Sequence, residues 1–406
     1  MDTSSAFVTE THSIPVRGEY DVIVVGGGVA GVSAAVAARR SGMSVLLIEK
    51  GVVLGGLATM GLVVYYNPPL DDSRGRRLVG GMSRELLHRS IRYGYGTLSP
   101  HWAQENPDPS VPPTGRYQTR FSAPAFVVAL DELIQDEGVD LLFDTLFCAP
   151  VMEGGRCTGV MVEGKCGRSC YRGRAFIDAS GDADLMSRLG APCVEEDNWL
   201  SYWAHATSLT AQAKAASAGD VAKSVQPLCL GAFADGTGHP EGMQLFRGLR
   251  AEDVTRFLLE GRKMLREHLA KSDRKETTVI TLPSMAQYRT TRHIVGQYTL
   301  SDDDKDARFD DSIGCFAEEG PASFVMEFPY RILVSETAPN VLAAGRIASG
   351  SGYGRYLCRL IAPSAMTGEA AGRAASLAIK HSCAVQEIPV RELQAQMGSA
   401  GYVIHA

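Results

Sequence analysis

The stretch from Tyr20 to Glu49 leaves this chain little choice of fold. Tyr20–Gly26 (YDVIVVG) is a short run of mainly β-branched residues, and Gly26, Gly28 and Gly31 then form G-x-G-x-x-G ahead of an Ala-rich segment that stops at Gly42. The predicted order is strand, tight turn, helix, with Ser44–Glu49 (SVLLIE) as the next strand. That second run does not alternate, so both of its faces are expected to be covered, as in a parallel sheet flanked by helices. Each glycine has its own reason in such a unit. The first makes the turn, the second lets a pyrophosphate approach the backbone, the third permits close helix–strand packing, and the helix N-terminus adds partial positive charge. Glu49 lies 49 − 31 = 18 positions beyond the last glycine, where an acid accepts hydrogen bonds from ribose hydroxyls and disfavours a 2′-phosphate. Val29 and Ala30 within the motif, and Lys50 beside the acid, belong to the same nucleotide-facing set.

Six positions after Glu49 begins a second glycine pair, Gly55-Gly56-Leu57-Ala58-Thr59, which brings another loop toward the same diphosphate and favours FAD. No second G-x-G-x-x-G follows a strand and no C-x-x-C occurs, which excludes the layout of glutathione reductase. No G-K-[ST] follows Gly26, which excludes a nucleoside triphosphatase.

Further along, Phe126, Leu130, Leu133 and Ile134 have helical spacing within 123–138, and 139–143 resumes a strand. From 145 to 177 short strands are broken by Gly154-Gly155, Gly164-Lys165 and Arg172-Gly173, which predicts an antiparallel meander inserted into the parallel sheet. Residues 190–325 are less regular, with Trp199, Trp203, a predicted helix over 251–271 and an acidic loop at 302–304. A buried strand over 340–345 and an Ala-rich helix over 363–381, opened by a tolerated proline, bring the chain back to the first lobe. The expected fold is therefore α/β. A Rossmann-like nucleotide domain (20–189 and 326–385) carries a second α+β substrate lobe (190–325), with an N-terminal extension (1–19) and a C-terminal tail (386–406).

Charge narrows the function classes: 40 Lys+Arg against 46 Asp+Glu leave a net charge of −6, which is no electrostatic footprint for nucleic acid. Nine cysteines, an odd count, and a start without an apolar signal core suggest a reduced, cytoplasmic protein. Residues 51–70 carry no charge, but their Gly-Gly and Pro-Pro pairs argue against a membrane helix. Cys166 and Cys170 have no second pair to complete a zinc set, so no metal is expected, and His205 is read as a core residue.

Six ordered stretches carry a family resemblance: 21–31 (DVIVVGGGVAG), 54–59 (LGGLAT), 176–184 (FIDASGDAD), 289–298 (RTTRHIVGQY), 329–331 (PYR) and 340–346 (NVLAAGR). From about Tyr20 to His381 the chain resembles the FAD-dependent oxidoreductase family related distantly to the fumarate reductase flavoproteins. The resemblance implies tightly bound FAD. Its diphosphate would lie at the first glycine loop and at Gly55-Gly56, and its adenine near Phe147 and the Ser180-Gly181-Asp182 stretch. The isoalloxazine would lie beside Gly345-Arg346 and the start of the last helix, at Pro363 and Ala365.

Gly368 and Gly372 share one face of that helix, which allows close packing on the nucleotide lobe, and its first turn offers N–H groups to a reduced flavin. Arg289, Arg292, Arg355 and Arg359, with Tyr353 among them, are the candidate catalytic residues, because arginines around a flavin clamp a carboxylate or balance flavin charge. The expected activity is hydride transfer between a small polar substrate and FAD, with an external electron donor or acceptor, in a monomer or homo-oligomer. The alternative is an electron-transfer flavoprotein working with a separate redox protein.

Overall fold

The computed structural model describes residues 10–104, 108, 111, 115–233, 235–318, 320 and 323–406. In chain order the principal elements are β1 (Val16–Val25), α1 (Val29–Arg40), β2 (Val45–Ile48), α2 (Gly81–Ser90), α3 (Ala123–Asp136), β3 (Asp140–Leu142), β4 (Leu146–Glu153), β5 (Arg156–Gly164) and β6 (Gly167–Asp178). They continue with β7 (Ser201–Ser208), α4 (Leu209–Ala218), β8 (Gln226–Gly231), α5 (Ala251–Ala270), β9 (Thr277–Thr281), β10 (Ser312–Ala317), β11 (Val325–Pro329), β12 (Val341–Ala343), α6 (Gly352–Cys358), α7 (Ile361–His381) and α8 (Val390–Ser399).

The main sheet runs β3-β2-β1-β6-β5-β4, and β12 also pairs with β6. Val22–Val25 lies parallel to Val45–Ile48 on one side and to Ala175–Asp178 on the other. β6 serves two partners along one edge: Gly167–Arg172 is antiparallel to β5, whereas Phe176–Asp178 is parallel to β12. The meander is therefore grafted onto the lower half of a strand whose upper half stays in the parallel sheet. That length also explains why β1 starts at Val16 and not at Tyr20: the lower half of β6 offers Cys170–Arg172 as partners for Val16–Glu19. Part of the expected N-terminal extension is thus sheet.

Successive residues of β1 face opposite layers. Val22 and Val24 join α1, α3 and α7 in the larger core, while Ile23 and Val25 join Phe147, Val160 and Val162 under the meander. α7 crosses α1 at backbone distance: a Cβ on Gly368 would sit 2.1 Å from Ala30 O, and one on Gly372 2.3 Å from Ala34 O. α7 begins at Ile361, two residues before the expected start, with Pro363 in its first turn, where a missing N–H costs nothing.

Two expected boundaries move. Residues 386–406 are no loose tail: Leu393 and Met397 of α8 are buried, and the Tyr402 hydroxyl donates to Glu369 at 2.9 Å. Leu300, Phe309, Ile313 and Phe316, expected in the second lobe, lie in the larger core. What stands apart is a three-stranded antiparallel sheet, β8-β7-β9, with α5 laid over one face. Its small cores are Tyr202, Ala204 and Leu265, and Leu200, Phe246, Phe257 and Tyr288. No helix among the described residues is long and apolar enough to cross a membrane.

Candidate functional site

The three glycines of the first loop do three different jobs. Gly26 has φ +103°, and a Cβ there would lie 2.4 Å from Ala179 O; at Gly31 it would lie 1.8 Å from Gly26 O. Both positions serve the close fit of turn, helix and neighbouring strand. Gly28, the N-cap of α1, has φ −67°, and a Cβ on it would meet nothing within 4 Å. Its glycine keeps open space in front of a helix end that no side chain caps. The second glycine pair is sewn directly to this loop: Gly55 N–H donates to Gly27 O at 2.8 Å, and Gly28 and Gly55 form a parallel bridge. Glu49 ties the two loops together. Its Oε2 accepts from Gly27 N–H at 2.7 Å and its Oε1 from Gly51 N–H at 2.6 Å.

In front of these loops lies a cavity of about 280 Å³. Gly26, Gly28, Val29, Ala30, Glu49, Lys50 and Gly55–Ala58 line its cradle end, followed by Ser180, Gly181, Gly345, Arg346 and Ser364. Ser201, Trp203, Gln287, Tyr288, Arg289, Tyr356 and Arg359 line the other end. Several expected residues are not in this lining. Gly31 serves packing, Thr59 donates to Leu54 O at 2.6 Å, and Pro363 and Ala365 are buried in α7 behind Ile361 and Ser364. Phe147 is buried on β4 with Arg188 over its ring at 5.3 Å.

The arginines sort into two groups. Arg346 reaches Asp182 at 2.7 Å and donates to Tyr288 O at 3.0 Å, while Lys50 stands 3.8 Å from the same carboxylate. Burial raises the Asp182 carboxyl, but Arg346 and Lys50 outweigh it and hold the group below the usual carboxylate range. Asp182 is therefore a counter-ion behind the cavity wall. Arg355 is buried, pairs with Glu196 at 2.9 Å and also donates to Arg346 O and Thr290 Oγ1. Arg292 pairs with Asp184 at 3.0 Å and donates to Ser187 Oγ and Asp182 O, outside the cavity lining. Tyr353 also lies outside the lining, its ring 5.4 Å from that of Tyr356.

Arg289 and Arg359 are the arginines that join Arg346 at the cavity. Arg359 lies over the Tyr356 ring at 4.6 Å. Arg289 is half-buried, its backbone N–H is fixed by Asn198 Oδ1 at 3.0 Å, and among the described residues no carboxylate pairs with its guanidinium. Burial pushes that guanidinium below the ordinary arginine value.

Sequence reasoning missed Gln287, Ser201, Tyr288 and Glu196. Gln287 joins the lobes by donating to Gly61 O at 2.6 Å and accepting from Trp203 N–H at 2.8 Å. Nothing in the local spacing of these residues announces such contacts. The aromatic density around Trp199–Trp203 was the only available signal for that region.

A parallel sheet with this glycine cradle and an acid closing the second strand defines a Rossmann-type dinucleotide-binding protein. A family profile described as FAD dependent oxidoreductase matches residues 21–235 and 320–397, and the chain belongs to that family. FAD is accordingly its cofactor, and the family is one of oxidoreductases.

Among individual relatives, the chain is 35% identical over 79 residues to thioredoxin reductase of Bacillus subtilis (strain 168), covering 20% of this chain and 25% of that one. It is 28% identical over 187 residues to Protein FixC of Azotobacter vinelandii, covering 44% and 41%. It is 27% identical over 173 residues to the probable electron transfer flavoprotein-quinone oxidoreductase YgcN of Escherichia coli (strain K12), covering 42% and 37%. Each match spans less than half of the relative. Among solved structures, p-nitrophenol 4-monooxygenase PnpA from Pseudomonas putida DLL-E4 aligns with a TM-score of 0.48 at 13% identity, over 94% of this chain and 84% of that one.

Proposed function

We propose that the chain exchanges hydride between a small anionic organic substrate and its FAD, with the β7–β9 sheet walling the substrate end of the cavity. The observation that carries this reading is Arg289, a half-buried cation with no carboxylate partner among the described residues, in the same cavity as the glycine cradle. The residues fit the cofactor, because the open space at Gly28 is what a side chain would fill and a diphosphate requires.

In this reading Gly28, Gly55, Gly56 and the N-terminus of α1 hold the diphosphate and Glu49 holds the ribose. Ser180, Gly181, Gly345, Arg346 and the start of α7 line the remainder. When bound, FAD supplies a ring that takes or gives two electrons with a proton. Arg289 and Arg359 grip the anionic group of the substrate, Trp203 and Tyr356 flank it, and Gln287 holds the Trp203 backbone in place. Arg355 is a positioning residue, acting through Arg346 O and Thr290. Nine free cysteines among the described residues support a reducing, cytoplasmic compartment.

The test is the visible spectrum of the purified protein, followed by anaerobic bleaching against a panel of organic acids. Direct bleaching by an acid is the expected result. A second reading, an electron-transfer flavoprotein served by a separate redox protein, is favoured by the likeness to the Escherichia coli relative. A yellow protein that no metabolite bleaches but a reduced carrier protein does would select it.

A further inference from the structure

A second cavity, of about 240 Å³, opens on the same face of the β7–β9 sheet. Tyr95, Thr97, Arg120, Phe121, His205 and Pro227 line it, and none of its described lining residues is an acid. Among the described residues no carboxylate pairs with Arg120, whose guanidinium lies 5.5 Å from the Tyr65 ring.

The two cavities are lined by neighbouring residues of the same segments. Trp203 lines the first and His205 the second, and as alternate residues of β7 they point to one face about 7 Å apart. Val63 lines the first and Val64 the second. Across the strand pair, Cys229 lies opposite Trp203 and Pro227 opposite His205. Burial raises the Cys229 thiol, and both Arg120 and Arg289 draw it down.

We propose that the second cavity is an accessory subsite for a carboxylate, and that the substrate is a small dicarboxylic acid held at one end by Arg289 and at the other by Arg120. This rests on the reading of Arg289 as the anchor of the main cavity. Two guanidinium clamps recognise two planar carboxylates, and the linings that contain them come together at Trp203 and His205, same-face positions of β7 that a link of a few carbon atoms bridges. His205, whose pKa burial lowers, adds a hydrogen-bonding group.

The experiment titrates the purified protein with linear dicarboxylates of four to eight carbons and the matching monocarboxylates. Ligand-induced thermal shift is the primary readout, with perturbation of the flavin absorbance alongside. One dicarboxylate length is expected to bind at least about ten-fold tighter than its monocarboxylate. Arg120→Gln then removes that advantage, so that the two bind alike, whereas Arg289→Gln weakens both. No length preference, or an equal effect of Arg120→Gln on both ligand types, overturns the subsite and leaves the Arg289 anchor standing. Undiminished binding of both ligand types to Arg289→Gln overturns the anchor itself, and the subsite with it.

Discussion

The parallel sheet and the β7–β9 sheet are both covered by helices, but they are held to those helices in different ways. On the nucleotide side α7 meets α1 backbone to backbone, with Gly368 and Gly372 each leaving barely 2 Å between a would-be Cβ and a carbonyl oxygen. On the β7–β9 side the comparable glycine is Gly261 of α5, and what a Cβ there would meet, at 2.3 Å, is the ring of Tyr202. A backbone carbonyl in a sheet-flanking helix has nowhere to go, whereas a ring can turn. The first contact tolerates one residue type at fixed positions; the second tolerates many, given compensating changes nearby. The lobe that carries the glycine cradle is thus spelled out in glycines, and the β7–β9 lobe is not.

That contrast is open to a direct attack. Gly368→Ala should destabilise the protein by more than about 3 kcal/mol, because overpacking against backbone cannot relax. Gly261→Ala should cost about 1 kcal/mol, since ring movement and the better helix propensity of alanine offset the clash. Urea denaturation of both variants checks the pair, and equal losses would remove the distinction between the lobes. Gly28→Val separates binding from folding within the nucleotide lobe. Its side chain enters empty space, so the far-ultraviolet spectrum and melting of the apoprotein should match wild type while FAD occupancy falls at least about 100-fold. A fold lost along with the flavin would show that Gly28 is structural like Gly31.

Charge sharpens the comparison next. Asp178 ends β6, fully buried, and its carboxylate accepts from the Ser180 N–H and hydroxyl and from the Met186 N–H. Burial nonetheless pushes its pKa up to about 6. The unfolded chain ionises near 3.8, so between these values the folded state holds a proton that the unfolded state has lost. Stability from this group is therefore greatest below about pH 4 and falls as pH rises through 6. The stability of wild type minus that of Asp178→Asn should drop by about 2–3 kcal/mol from pH 4 to pH 7. A difference that stays flat with pH would mean that the carboxyl titrates as it does in water.

How far the residues could be read in advance follows the same division. The strand–turn–helix of 20–42, the acid at Glu49 and the meander all came from local pattern, because each is set by neighbours within a few positions. The start of β1 at Val16 could not, since it depends on a partner more than 150 residues away in β6. The same applies to the arginines. Arg292 and Arg289 lie three apart in one motif, yet the backbone turns one toward Asp184 and the other into the cavity. Glu196, the partner that holds Arg355, is 159 residues from it. Charge type was readable, but which charges find partners is a tertiary fact.

The smallest expected effects therefore test that split between arginines. Arg292→Gln breaks a partly exposed pair with Asp184 and two hydrogen bonds, so it should lower stability by about 1 kcal/mol and leave the rate of substrate-driven bleaching per bound flavin at the wild-type value. Arg289→Gln removes a cation that no carboxylate among the described residues neutralises. It should relieve a buried charge and leave stability unchanged or slightly higher, while slowing the same bleaching step about ten-fold through loss of one charged hydrogen bond to the substrate. FAD occupancy should match wild type in both variants. Rapid mixing under nitrogen, normalised to bound flavin, with urea denaturation alongside, reads all of these quantities. If Arg292→Gln slows the step as much as Arg289→Gln does, then the unpaired charge is not what marks the substrate end. The segment 289–292 would act as one rigid piece whose distortion, at either position, is felt in the cavity.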